Sequence, residues 1–102
     1  MLPYEISALA QEDIKEIARY TMSRWGEEQS IRYAKSLEKC FCEITDKTVS
    51  SKNFSNNFPE ILVTWCQKHY VFYIYPAGKL PLIIAVLHER MDMLARLKRR
   101  LG

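Results

Sequence analysis

Glycine, proline and cysteine are all scarce in this sequence: three, four and three among 102 residues. So little glycine and proline excludes a collagenous or low-complexity chain, and with 48% apolar residues the protein has the material for a buried core. Three cysteines without framework spacing exclude a disulfide scaffold and fit the reduced thiols of a cytosolic protein. Long hydrophobic runs are missing as well. The longest, Leu80 to Leu87, is eight residues with Pro81 inside it, far short of the roughly 20 that a membrane span needs. The start, Met1-Leu2-Pro3-Tyr4-Glu5, carries neither the basic nor the apolar region of a secretory signal. One domain over residues 1–102 is expected, cytoplasmic, without membrane association and without a cofactor.

An excess of charge of one sign is also absent from most of the chain. Residues 1–87 hold ten basic and ten acidic side chains, and the whole net +3 lies in the last 15 residues. There Arg90, Arg96, Lys98, Arg99 and Arg100 outweigh Glu89 and Asp92. A neutral body with a basic end suits an acidic or phosphate-bearing partner for that end. The same cations also suit a solvated helix face near a helix C-terminus.

What is present reads as α+β. Leu2, Tyr4 and Ile6 alternate as a short strand, and Ser7 is placed to cap a helix. Glu12 and Asp13 fall early in that helix, on the favourable side of its dipole. Ile14, Ile17, Ala18, Thr21 and Trp25 mark its inward face, and Gly26 ends it. A second helix opens at Glu27-Glu28 with Ile31, Ala34, Leu37, Phe41 and Ile44 inward, so the pair forms an antiparallel hairpin. Asp46 to Phe58 is polar and reads as a loop of about a dozen residues, with Phe54 and Phe58 tucked under the helices. Ile61 to Cys66, His69 to Tyr75 and Leu80 to Leu87 are β-branched and aromatic runs joined by short turns, an antiparallel meander. Pro81 belongs at the start of its strand or on an edge. Leu94, Leu97 and Leu101 with the terminal cations make a short basic amphipathic helix that Asp92 can cap. The expected order is βααβββ followed by this helix, with the helix hairpin packed on a small, mainly antiparallel sheet.

A zinc site can be drawn from Cys40, Cys42, Cys66 and His69, but two helical residues two apart point roughly 200° away from each other. Buried structural thiols are the expectation, and no metal.

Three segments carry a resemblance: Tyr20-Thr21 with Trp25-Gly26-Glu27-Glu28-Gln29, the run His69-Tyr70-Val71-Phe72-Tyr73, and Val86-Leu87-His88-Glu89-Arg90-Met91-Asp92. In this order and spacing the chain resembles the ParE branch of the RelE/ParE toxin superfamily over nearly its whole length. The resemblance implies the toxin half of a type II toxin–antitoxin system, neutralised by a ParD-like antitoxin, acting by inhibiting DNA gyrase and so replication. Where relatives commonly carry a Gly-Arg-containing stretch before the central hairpin, this chain has Phe58-Pro59-Glu60-Ile61-Leu62-Val63-Thr64-Trp65, without arginine.

The RelE-like branch cleaves mRNA on the ribosome, which needs a proton acceptor, a donor and cations converging on one surface. His88 and Arg90 are the candidates, with Lys68, His69, Tyr73, Tyr75 and Lys79 nearby in sequence. The sheet region has only Lys68 and Lys79 as cations, both in turns, so a binding inhibitor is the leading expectation and the endoribonuclease the alternative. A nucleic-acid-binding accessory protein that uses the basic helix is a third, although no sequence-specific nucleic-acid contact is expected. On the leading expectation Arg90, Arg96, Lys98, Arg99 and Arg100 contact the target. The aromatic strand Tyr70, Phe72, Tyr73 and Tyr75 offers an apolar face for the antitoxin, within a complex that can be of higher order.

Overall fold

A computed structural model describes residues 2–88 and 93–101. The first strand is short, β1 (Glu5–Ile6), and Ser7 follows it as the cap of α1 (Ala8–Trp25). The Ser7 hydroxyl accepts a hydrogen bond from the Ala10 amide at 3.1 Å, satisfying one of the amides that a helix start leaves open. A single residue, Gly26, then separates α1 from α2 (Glu27–Asp46). Its φ of +93° is open to glycine and strained for a residue with a side chain, and this lets the chain reverse without a loop. α2 ends on Lys47, in left-handed conformation, whose amide bonds the Ile44 carbonyl at 3.1 Å.

The hairpin lies on a five-stranded sheet in the order β1-β5-β4-β3-β2, with β2 (Lys52–Ser55), β3 (Phe58–Cys66), β4 (His69–Ile74) and β5 (Leu82–His88). β1 pairs in parallel with β5, and every other pairing is antiparallel. α3 (Met93–Leu101) covers the other sheet face. Pro81 stands immediately before β5, where its missing amide costs nothing and its carbonyl accepts from the Glu5 amide at 2.8 Å.

Two cores result, one on each face. Against the hairpin lie Val71, Tyr73, Ile83 and Val86, under Ala10, Leu37, Phe41 and Ile44. Against α3 lie Ile61, Phe72, Ala85 and Leu87, with Leu97 fully buried among them. A bulge serves the second core: β5 shifts register between Phe72↔Ala85 and Tyr73↔Ile83, so Ile84 is the extra residue and both Ile84 and Ala85 pack on the α3 side.

The meander and the helix hairpin are as expected, and three details differ. The polar segment after α2 is not a loop throughout, because Lys52–Ser55 forms a strand on β3 and turns back through Asn56 and Asn57. The Asn57 amide donates to the Ser55 hydroxyl at 3.1 Å, side-chain chemistry typical of a turn. Phe54 and Phe58 do not tuck under the helices but pack in the α3-side core, Phe54 edge-on to Phe72 at 5.3 Å. Trp25 and Ile31, placed inward by periodicity, are 64% and 50% exposed, and Ala34 is exposed too. The Gly26 end of the hairpin projects past the sheet. The helix halves holding Ala10 to Ile17 and Leu37 to Ile44 lie over the strands, and Tyr33 reaches β4 from just beyond them.

Candidate interaction surface and the C-terminal helix

β5 is nearly an edge strand, because two-residue β1 covers only its start. From Ile83 onward its outer backbone groups need partners, and the backbone of Ser7 and the side chain of Asp13 supply them. The Ser7 amide donates to the Ile83 carbonyl at 3.0 Å, and the Val86 amide donates to Asp13 Oδ2 at 3.0 Å. Asp13 also meets Arg100 from α3 in a two-pronged pair, Nη1 to Oδ2 at 2.8 Å and Nη2 to Oδ1 at 2.7 Å. Arg100 Nη1 further donates to the bulge carbonyl of Ile84 at 3.2 Å. Both side chains are largely buried. Their fork-to-carboxylate geometry is the strongest form of protein ion pair, and hydrogen bonding to Asp13 raises the Arg100 pKa further.

This accounting divides the basic residues named as target contacts. Arg100 is occupied inside the molecule. Arg96 and Arg99 are exposed, three apart on the outer face of α3. Arg90 and the Lys98 side chain lie outside the described residues, as do Glu89, Met91 and the capping residue Asp92.

The aromatic strand divides in the same way. Phe72 and Tyr73 are fully buried on opposite faces, the first under α3 and the second under the helix hairpin. Tyr70 and Tyr75 are half-buried at the two ends of β4. Tyr70 contacts Trp65, which is 48% exposed, with ring centroids 4.5 Å apart. The Tyr75 hydroxyl donates to the Ile44 carbonyl at 2.7 Å, and the Lys47 ammonium sits 5.0 Å from its ring centre.

Of the catalytic candidates, the sheet brings His69 and His88 together as directly paired residues with rings 5.4 Å apart. Tyr33 from α2 joins them, its hydroxyl hydrogen-bonded to His69 Nδ1. Burial, with the neighbouring His88, pushes the His69 pKa down to about 4. Lys79 follows β4 at its other end, about 20 Å from His69 at strand rise, and Lys68 is an exposed turn residue. Tyr33, His69 and His88 therefore gather at one end of the sheet with Lys68 in the adjoining turn, while Tyr75 and Lys79 lie at the other. Cys40 and Cys42 point to opposite sides of α2, one buried and one exposed. Cys40 instead faces Cys66 beside a cleft of about 520 Å³ between α2 and β3. The facing Cys66 sulfur and burial together hold the Cys40 thiol protonated.

Two important residues, Asp13 and Tyr33, escape a reading of the sequence for function. Asp13 had a visible signal: it lies within the apolar stripe Ala10, Ile14, Ile17, Thr21, where a charge needs a partner. Tyr33 had none, since only the fold brings it to His69.

The comparisons agree with this architecture. Residues 4–93 match the family model described as the ParE toxin of the type II toxin–antitoxin system, parDE. The protein is 39% identical over 101 residues to Toxin ParE of Escherichia coli, covering 99% of this chain and 98% of that one. It is 32% identical over 97 residues to Toxin ParE1 of Caulobacter vibrioides, covering 95% and 99% respectively. Its fold matches a chain of the chromosomal ParDE TA system from P. aeruginosa with a TM-score of 0.69 at 12% identity, over 86% of this chain and 96% of that one. With a full-length relative well above 30% identity and a family match across most of its residues, the chain belongs to the ParE toxin family of type II toxin–antitoxin systems.

Proposed function

We propose that this ParE-family toxin acts in the cytoplasm by binding DNA gyrase, without catalysis of its own, and that a ParD-like antitoxin neutralises it. The observation that carries the reading is the contrast between α3 and the sheet. Arg96 and Arg99 stand exposed together on one helix face, whereas the histidines His69 and His88 meet at one end of the sheet, away from Tyr75 and Lys79 at the other. A cationic helix on a neutral body suits an acidic or DNA-bearing target. Target contacts are assigned to Arg90, Arg96, Lys98 and Arg99, with Arg100 contributing by holding the helix.

The antitoxin is assigned to the aromatic strand of Tyr70, Phe72, Tyr73 and Tyr75. Because Phe72 and Tyr73 are filled by the toxin's own core, the antitoxin meets this strand at its two half-exposed ends, Tyr70 beside Trp65 and Tyr75 beside Lys47. Exposed aromatic side chains of this kind are frequent anchors for a partner segment.

A supercoiling assay with purified gyrase tests the reading. Inhibition with accumulation of cleaved DNA at micromolar toxin is expected, reversed by the antitoxin. No inhibition and no stabilised cleavage would remove gyrase as the target. The meeting of His69, His88 and Tyr33 keeps one enzymatic reading on the table, a ribosome-dependent endoribonuclease. That reading requires cleavage of translated mRNA that disappears in His88→Ala.

A further inference from the structure

α3 has nine residues, too short to hold its shape alone in water, so its orientation must come from what it docks on. Among the described side chains two attachments stand out. Leu97 sinks into the pocket of Ile61, Phe72, Ala85 and Leu87, an apolar contact that tolerates rotation about the helix axis. Arg100, one turn further on, has directional geometry: two hydrogen bonds to the Asp13 carboxylate and one to the Ile84 carbonyl. With Leu97 as pivot and Arg100 as clamp, the helix has one rotational setting. In that setting Arg96 and Arg99 face solvent.

Asp13 is itself held. It sits in mid-turn of α1, within the rigid hairpin, and accepts from the Val86 amide of β5. The clamp thus ties three elements, α1, β5 and α3, at one buried point. A buried carboxylate with two charge-assisted bonds on one side and a backbone amide on the other is over-determined in position.

We infer that Asp13 is a positioning residue for the toxin's basic helix: through Arg100 it sets the direction in which Arg96 and Arg99 are presented to the target. The inference rests on the reading of α3 as the target-binding element, but the clamp itself can be tested without it. Asp13 reaches the basic helix through Arg100. Asn at position 13 keeps an acceptor for the Val86 amide and loses the charge, and Gln at position 100 loses the fork while leaving Asp13 hydrogen-bonded to β5.

The experiment compares full-length wild type, Asp13→Asn, Arg100→Gln and the conservative Arg100→Lys. Three quantities are read: amide exchange over residues 95–101, growth arrest on expression, and affinity for the cognate antitoxin. Exchange in α3 is expected to rise at least about tenfold in Asp13→Asn and Arg100→Gln, with exchange in β4 unchanged. Growth arrest and gyrase inhibition are expected to weaken by about tenfold, and antitoxin affinity to stay within about twofold. Arg100→Lys, which reaches one carboxylate oxygen only, should fall between. Wild-type exchange rates in both charge-removing variants would overturn the clamp. Faster exchange with undiminished growth arrest would overturn its positioning role. If wild-type toxin arrests growth yet leaves gyrase untouched, the target assignment fails while exchange and growth arrest still decide the inference. If Asp13→Asn fails to fold, Arg100→Gln carries the same comparison, because it leaves the Asp13 bond to Val86 in place.

Discussion

The two faces of the sheet are covered in different ways. On one, 38 residues of helix lay a continuous apolar stripe across the strands, and Ala10, Phe41, Ile44, Val71, Tyr73 and Ile83 are buried together. On the other lies a helix of nine residues whose anchors, among the described side chains, are one buried leucine and one ion pair. The first cover is part of the core in every sense. The second is anchored at defined points, and it lies in the segment that carries the chain's excess of basic charge. A protein that must present charge to a large partner gains from mounting it on an element whose position is set by a few directional contacts, while the thick cover secures the fold.

This asymmetry predicts unequal responses to truncation. Phe41 is buried and packs edge-on to Tyr4 at 5.4 Å. Phe41→Ala is expected to cost about 4 kcal/mol in urea unfolding and to lower protection throughout the sheet. Leu97→Ala, at an equally buried site, is expected to cost about 2 kcal/mol, because α3 can release instead of holding a cavity open, so the loss is bounded by what its docking contributes. Amide exchange separates the two: global in the first case, confined to residues 95–101 in the second. Equal and global losses would mean that the two faces form one cooperative unit.

Deleting residues 93–102 goes further along the same line. Growth arrest is expected to be lost or strongly reduced, while the antitoxin still binds through Tyr70 and Tyr75. Intact toxicity in this variant would reduce α3 to a cover for Phe72 and Leu87.

How much of this was visible in the sequence follows the same division. The hairpin face was legible, since the Ser7 cap, the Gly26 break and the 3.6-residue period all act locally and point the same way. Periodicity marks a face, though, and does not say what lies under it; Trp25 and Ile31 continue the stripe past the end of the sheet. β2 was hidden because an edge strand with Lys52, Asn53 and Ser55 has almost no apolar alternation, and its cue was the Asn56-Asn57 turn between two phenylalanines. Arg100 read as one more surface cation. Its role depends on a carboxylate 87 positions away, and the only local hint was Asp13 lying among apolar residues.

The hairpin face has a polar cluster at one end, and it predicts a pH response. His69 lies between Tyr33 and His88, with Asp13 near enough to act on it electrostatically. Its folded pKa is lowered to about 4, first by burial and then by His88, against about 6.5 in an unfolded chain. The unfolded state therefore takes up the proton first as pH falls. Stability from this group is complete above about pH 6.5, declines between there and about pH 4, and changes no further below. With the half-exposed ring partly screened by water, the loss should be about 1–2 kcal/mol. His69→Gln should flatten that part of the pH profile, and an unchanged slope would place its origin elsewhere.

The smallest effects distinguish two tyrosines on the hairpin face whose rings touch at 5.5 Å. The Tyr75 hydroxyl donates to the Ile44 carbonyl in the last turn of α2, which also accepts from the Lys47 amide. The Tyr73 hydroxyl is buried near Ser51 and Tyr75 and reaches no hydrogen-bond partner among the described residues. Tyr75→Phe should therefore cost about 1 kcal/mol, and Tyr73→Phe should cost nothing or stabilise by up to about 1 kcal/mol, since it removes a desolvated group and no bond. Thermal unfolding of the two single variants checks the order. A loss in Tyr73→Phe as large as in Tyr75→Phe would mean that the Tyr73 hydroxyl is bonded in solution, and that it adds to the Tyr75–Ile44 bond in the polar hold on this face of the sheet.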